Sequence, residues 1–365
     1  MDPSLRIAGD LLGIGLSDPV DLGGSRRSTV LRCRTAAGGS VIVKSYTREP
    51  EALRSFTSEA AGLALHGTGP ALLGADPAVP LLVMEDLGAA PTLADVLLGD
   101  DPAAAAQALP AWARALGRLA AGSLGRQAEF ARLTARYDAG ASSWQDEPWA
   151  ERNAAELLPL LAGTGLDAPP GLAAELDRIG TAGGDRYPAF TPGDTCPDNT
   201  LLTPDGLRLI DFEGSCFQSL FLTAAYCRMP FSSCWCVFRF PEELARRTEQ
   251  AYRAEVATAY PELADDAVWE AGLRRAIAVW TVDATVRLLP LTTVDRPLHR
   301  TRRPAPTMRQ VLCHRWELAR TLEDCPALVE TADLLLRKFA DGWETAALPA
   351  YPAFGGPTGR CAQAG

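Results

Sequence analysis

Two short stretches fix much of the geometry this chain can adopt. Pro192-Gly193-Asp194-Thr195-Cys196-Pro197-Asp198-Asn199 is followed by Ile210-Asp211-Phe212-Glu213-Gly214, with Asp211 twelve residues beyond Asn199. Between them Thr200–Thr203 reads as a short strand, Pro204-Asp205-Gly206 as a tight turn and Leu207–Ile210 as the returning strand. Such a hairpin puts Asn199 and Asp211 at the same end of two adjacent strands. A carboxylate, an amide and a second carboxylate in this order suit Mg-nucleotide phosphoryl transfer. That chemistry needs a carboxylate to take the proton of an attacking hydroxyl. It also needs oxygen ligands that hold Mg²⁺ alongside phosphates and waters. Asp194 is the expected base, with Asn199 and Asp211 as the expected metal ligands. Gly-Asp and Pro-Asp are also ordinary turn residues, so the rest of the chain has to decide.

Upstream, lysine is nearly absent: Lys44 and Lys338 stand against 33 arginines. Lys44 lies inside Ser40–Tyr46, an alternating, β-branched run that reads as a strand. A compact ammonium suits α/β-phosphate oxygens in a way that arginine does not. Fifteen residues later Glu59 falls in Glu51–His66, a helical stretch with apolar residues at Leu53, Phe56, Ala60, Leu63 and Ala64. Glu59 is placed to pair with Lys44, as a helix glutamate and strand lysine do in kinases. Before the lysine, Leu22–Leu31 holds a Gly-containing turn between two strand-like runs, and Gly24 and Ser25 there offer backbone N–H groups to phosphate. Pro80–Gly88 is an apolar strand running into an acidic, Gly-ended connector, which suits a hinge whose backbone meets a purine.

In this order (Gly turn, strand lysine, helix glutamate, "VMEDLG", "GDxxxxN", "DFEG") the chain resembles the aminoglycoside phosphotransferase family over roughly residues 20–215. That family is the small-molecule branch of the protein-kinase-like fold. The resemblance implies Lys44 on the α/β-phosphates, Glu59 as its partner, Asp194 as catalytic base, and Asn199 and Asp211 as Mg²⁺ ligands. It also implies Glu85 and Leu87 as backbone hinge contacts, with ATP or GTP as donor. Two positions depart from the family: Pro192 stands where it usually has His, and Thr223 where it often has Asp. Both family residues brace the catalytic loop from behind, so the departures imply an altered brace, with Pro192 fixing φ.

The expected architecture is α+β and two-lobed: residues 1–87 as a small antiparallel-sheet, nucleotide-binding lobe, 88–91 as a hinge, and 92–365 as a helical lobe with the catalytic loop and acceptor pocket. A short helix or arm is expected over 1–16. Further helices are expected over 103–123, 127–136, 149–164, 170–180, 241–260, 264–289, 307–324 and 326–347, with breaks at 137–148, 165–169 and 181–193. Asp295–Pro306 reads as a solvated basic loop and the tail after Pro349 as loose. At 365 residues and 47% hydrophobic content the chain can bury a full core.

The formal charge of −10 and the lack of a lysine-rich run argue against nucleic acid as partner. They push mildly toward a cationic, amine-bearing small molecule. No stretch reaches the roughly 20 apolar residues of a membrane helix, and the N-terminus lacks a secretory pattern. A cytoplasmic enzyme with reduced thiols is expected. Cys216, Cys227, Cys234 and Cys236 cluster within 21 residues. A zinc site is one reading of them; buried packing, or a pocket wall with Trp235 and Phe238, is preferred.

Three classes compete: an O-phosphotransferase acting on an amino-sugar antibiotic or biosynthetic intermediate, a kinase of an ordinary amino alcohol or sugar, and a non-catalytic nucleotide-binding protein. Intact Lys44, Asp194, Asn199 and Asp211 weigh against the last. In the helical lobe, Asp138, Asp146, Glu147 and Asp283 are candidate acceptor contacts.

Overall fold

The computed structural model describes residues 3–65, 69–181, 186–231, 234–343 and 345–356. His66, residues 182–185 of the expected break, Ser232-Ser233, Glu344 and the last nine residues lie outside the described set.

The N-terminal part is a five-stranded antiparallel sheet in the order β1-β2-β3-β5-β4. Its strands are β1 (Leu16–Ser25), β2 (Ser28–Thr35), β3 (Ser40–Tyr46), β4 (Leu72–Asp76) and β5 (Leu81–Glu85). Helix α1 (Pro3–Leu12) lies on one face and α2 (Pro50–Leu65) follows β3. Successive strand side chains point to opposite faces. Thus Val41 and Val43 pack with Leu5 and Ala8 of α1 in a small core, while Ile42, Lys44 and Tyr46 face the other way. Tyr46 joins Phe56 of α2 in the main core. One strand therefore both builds a core and delivers a lysine to the opposite face.

The sequence expectation placed the glycines in the β1–β2 turn. They are instead in the last residues of β1, and the two-residue turn is Arg26-Arg27, since Ser25 pairs with Ser28. Gly24 has φ of 140°, and a Cβ there would lie 2.2 Å from the Ser28 carbonyl oxygen. Only glycine fits so close to the returning strand.

The C-terminal part is mostly helical: α3 (Leu93–Leu97), α4 (Pro102–Ala121), α5 (Gln127–Arg136), α6 (Trp149–Gly163), α7 (Leu172–Gly180), α8 (Leu220–Ala224), α9 (Glu242–Val256), α10 (Asp266–Leu288), α11 (Met308–Ala319) and α12 (Pro326–Leu335). Helix α4 starts where it does because Pro102 opens it and the Asp101 carboxylate accepts from the N–H groups of Ala103 and Ala104. Helix α10 is buried on every side over Ala276–Thr285, so it forms the axis of this part. Two small antiparallel pairs interrupt the helices: β6 (Pro188–Thr191) with β9 (Cys216–Ser219), and β7 (Thr200–Thr203) with β8 (Gly206–Leu209). The whole is α+β and two-lobed. No helix among the described residues is long and apolar enough to cross a membrane.

Several expectations fail here. The helix expected over 326–347 is α-helical only to Leu335, then runs through a π-helical turn at Leu336–Ala340 and a last short turn ending at Trp343. The segment after Pro349 is not loose up to residue 356. Tyr351 is fully buried, stacks 5.2 Å from Phe240 and donates its hydroxyl to the Cys236 carbonyl at 2.6 Å. Nor are all thiols reduced, since Cys196 and Cys234 form a disulfide. The four cysteines weighed as a zinc set do not come together either; the group that does is Cys196, Cys234 and Cys236.

Candidate active site

A cavity of about 370 Å³ opens between the sheet and the β7–β8 hairpin, lined among others by Gly24, Val30, Ile42, Lys44, Met84 and Leu87. Ser25, Glu59, Glu85, Asn199 and Asp211 line it too. The residues the sequence assigns to nucleotide and metal thus share one cleft, which Asp194 does not line. Lys44 is 6% exposed. Its ammonium lies 2.8 Å from Glu59 Oε2, 2.8 Å from Asp211 Oδ1 and 3.8 Å from Glu213 Oε2. Burial alone would make Lys44 more acidic, but the carboxylates of Asp211 and Glu59 outweigh it and hold the ammonium well above its ordinary range. Glu59 also accepts from the Tyr46 hydroxyl and from the Phe212 N–H, the latter at 3.2 Å.

Hairpin geometry sets the other end. Ile210 N–H donates to the Asn199 carbonyl at 2.9 Å, which holds Asn199 and Asp211 at the same end of β7 and β8. Asp211 has φ of 63°, a conformation that Asp tolerates better than most side chains. Asn199 donates its amide N–H to the Asp194 carbonyl at 3.1 Å, leaving the side-chain oxygen to face elsewhere. One amide oxygen beside one carboxylate is a donor set that fits Mg²⁺.

The Asp194 loop and the Asp211 segment meet at two glycines. Gly193 has φ of 91°, and a Cβ there would be 2.3 Å from the Gly214 carbonyl oxygen. The backbones touch, and Asp194 is carried, half-buried, beside this junction. Burial first, then the charges of Asp211 and Asp198, push its carboxyl up to about 7. Behind this loop, Pro192 and Thr223 line the same small internal gap, so the two departures from the family pattern face one space.

A second cavity of about 460 Å³ adjoins Asp194 and Gly193, and Glu213 lines both cavities. Its walls carry Trp144, Trp149, Trp280, Asn153, Asp283 and Arg287. Trp149 and Trp280 stack at 5.3 Å. Asp283 accepts from Asn153 Nδ2 at 2.9 Å and Arg287 Nη1 at 3.2 Å, and burial raises its carboxyl. Ser55 Oγ is buried with no hydrogen bond among the described residues and lines this cavity. Of the other acidic candidates, Asp146 and Glu147 line a neighbouring hollow. Asp138 instead accepts from the Gly140 N–H in an exposed turn.

Sequence reasoning missed several of these contacts. Arg27, at the tip of the β1–β2 hairpin, bonds Glu51 at 2.7 Å and Glu213 at 2.5 Å; the position of Glu213 inside "DFEG" was the available signal. Trp235 and Phe238 do not line the second cavity. Phe238 packs 5.1 Å from Tyr351, and Trp235 donates to Asp198 at 2.9 Å. The 295–306 loop is not merely solvated: Arg302 pairs with Asp198 and lies 5.1 Å over Trp235.

The chain matches no family model and no curated protein. Among solved structures it is similar to a macrolide 2'-phosphotransferase from Brachybacterium faecium, at 15% identity, 88% of this chain, 98% of that chain and TM-score 0.46. It is also similar to the streptomycin–ATP–APH(2")-IIa ternary complex, at 14%, 82%, 93% and 0.47. A third is a Plasmodium vivax ethanolamine kinase, at 9%, 88%, 82% and 0.49. These values describe a distant likeness of shape, and the chemistry has to be read from the side chains themselves.

Proposed function

We propose that this chain is an Mg²⁺-dependent O-phosphotransferase of the aminoglycoside-phosphotransferase type. It would move the γ-phosphate of a nucleotide, ATP before GTP, to a hydroxyl of a small molecule. The observation that supports this best is the position of Asp194, a half-buried carboxyl lining the second cavity beside Glu213, the residue that lines both. One cavity carries the Lys44–Glu59–Asp211 ion pairs and the other is lined with tryptophan. On this reading residues 1–87 bind nucleotide, 88–91 are the hinge, and 92–365 bring the base and the acceptor site.

Each residue then has one task. Lys44 neutralises α/β-phosphate oxygens, and Glu59 keeps it in place from α2. Gly24 and Ser25 offer backbone N–H groups to phosphate, while Glu85 and Leu87 present backbone to the base of the nucleotide. Asn199 and Asp211 would hold Mg²⁺, which supplies charge neutralisation on the phosphates. Asp194, ionised, accepts the acceptor hydroxyl's proton as the oxygen attacks phosphorus.

For the acceptor, the reading carried from the sequence is a cationic amino sugar, used in antibiotic resistance or biosynthesis. The buried carboxyl of Asp283 and the tryptophan faces support it, since aromatic faces attract cations. A specific observation favours the alternative, an ordinary small metabolite. Arg27, Arg152 and Arg287 line the cavity against Asp194, Glu213 and Asp283, so the formal charges cancel and no strong cation preference is built in.

The test is a purified-enzyme screen with ATP, Mg²⁺ and a panel of amino sugars, macrolides, amino alcohols and sugars, read by mass spectrometry. A gain of one phosphoryl group on an acceptor, with stoichiometric ADP, is the expected result. No ADP release with any acceptor, together with no nucleotide binding by calorimetry, would refute the assignment.

A further inference from the structure

Cys196 and Cys234 are joined by a disulfide, with Cα atoms 5.5 Å apart and a sequence separation of 38. A third sulfur lies against the pair. Cys236 Sγ is 3.1 Å from Cys234 Sγ, and the three sulfurs all lie within 4.8 Å of one another. All three side chains are buried, Cys236 completely. A disulfide uses two sulfurs and leaves the third no covalent part. No other three His, Cys, Asp or Glu side chains come this close among the described residues.

The spacing has a chemical meaning. A tetrahedral thiolate site with metal–sulfur bonds of about 2.3 Å sets its sulfurs roughly 3.8 Å apart. Opening the Cys196–Cys234 bond leaves three sulfurs that reach that separation with small side-chain rotations. The one-residue spacing of Cys234 and Cys236 is shorter than the usual paired-ligand spacing, which is why sequence spacing argued against a zinc site. The fold answers this by bringing the third thiol from a remote loop. Burial and the carboxylates of Asp198 and Asp194 oppose a bare thiolate at Cys236, against the Arg302 guanidinium that favours one. Three thiolates alone would be opposed there, whereas a divalent ion offsets both the thiolates and the carboxylates.

We propose that, once the disulfide is reduced, Cys196, Cys234 and Cys236 bind one thiophilic divalent ion of the zinc class. The fourth position is left to water or to the Asp198 carboxylate. In the reduction a dithiol gives two electrons and two protons to the Cys196–Cys234 bond and ends as a disulfide itself. Each of the three thiols then loses its proton as it takes the ion, so three protons pass to solvent per ion bound. Disulfide and metal are exclusive states of the same sulfurs. Both tie the loop between Asp194 and Asn199 to the segment that begins at Cys234. The site differs from the Mg²⁺ set in kind, sulfur against oxygen, and does not depend on the phosphotransferase reading.

The experiment uses the full chain, reduced with a dithiol, freed of reductant under inert gas and titrated with Co²⁺. The expected result is an intense sulfur-to-cobalt charge-transfer band saturating at one ion per chain, and one zinc per chain by elemental analysis after zinc addition. Cys236→Ser and, separately, Cys236→Ala should lose the band while keeping the far-ultraviolet circular dichroism of the parent. Cys313→Ser, away from the cluster, should keep it. Absence of the band in reduced parent protein overturns the proposal and leaves a disulfide only. An undiminished band in folded Cys236→Ser overturns it as well. Because the parent protein is itself a readout, misfolding of a variant does not shelter the idea.

Discussion

Lys44 Nζ lies 2.8 Å from Asp211 Oδ1, across 167 residues of chain. The contact joins the sheet to the β7–β8 hairpin, and the same ammonium reaches Glu59 on α2 at 2.8 Å. One point charge therefore serves two carboxylates on two elements. A planar guanidinium is longer and spreads its donors in a fixed fork, so it cannot reproduce this arrangement. Lys44→Arg should lower kcat/KM for ATP nearly as far as Lys44→Ala, by about 10²-fold or more if ~3 kcal/mol of transition-state contact is lost. Lys338→Ala, at an exposed position, should leave it unchanged. Steady-state kinetics with the best acceptor decide the matter, and near-parental kinetics for Lys44→Arg would mean that only a positive charge is required.

Asp194 is held at about 7 by burial and by the charges of Asp211 and Asp198. If Asp194 is the base, as proposed, it must be ionised, so kcat/KM should rise with pH through about 7 and level off above it. Asp194→Ala should lower kcat by about 10²–10⁴ and remove that limb. Stability carries the opposite sign. The folded-state value lies above the ordinary 3.8, so the contribution of this group is full below that pH and is lost as pH rises through about 7. The urea midpoint of the parent should show that loss and Asp194→Asn should not; a pH-independent difference between the two would count against a shifted carboxyl.

Asn199 and Asp211 differ in charge, and the metal reading predicts an order. Asp211→Ala should cost more Mg²⁺-dependent activity than Asn199→Ala, because it removes the only formal charge of the pair. Excess Mg²⁺ should rescue Asn199→Ala in part. Full parental activity in excess EDTA would end the metal assignment.

Gly193→Ala tests the contact between the two loops. A Cβ would meet the Gly214 carbonyl at 2.3 Å, and φ is 91°. The strain should lower stability by about 1–3 kcal/mol and cut kcat more than it raises KM for ATP, because the displaced residue is Asp194. Denaturant melts and kinetics on the same preparation check both. Unchanged kcat in a destabilised variant would show that the loop position is not set by this contact.

The parts of the site that were legible are those built by local geometry. The β7–β8 hairpin follows from a turn between two short strands, so the common end for Asn199 and Asp211 could be read directly. Lys44 could be assigned to a strand because Val41 and Val43 alternate with it. The tryptophan-lined cavity could not be read this way. Asn153 and Asp283 bond across 130 residues, and nothing in the local pattern of α6 or α10 marks Trp149 or Trp280 as cavity-facing, because α10 is buried on every side over Ala276–Thr285. Tyr351 was misplaced for a related reason. Small and proline-rich flanks suggested a loose tail, while burial among Phe231, Phe238 and Phe240 is a tertiary effect that local composition does not carry.

Arg27 stands at the hairpin tip and bonds Glu51 on one side and Glu213 on the other. The tip is thereby moored to the segment that carries Asp211, on the far side of the cleft. If a nucleotide occupies this cleft as proposed, widening it for exchange would stretch the Arg27–Glu213 ion pair, which is partly shielded from solvent. Dissolved salt weakens such a pair far more than it weakens apolar packing. On the proposed reading, nucleotide exchange across this cleft is expected to quicken as salt is added, while the packed core beneath it stays indifferent.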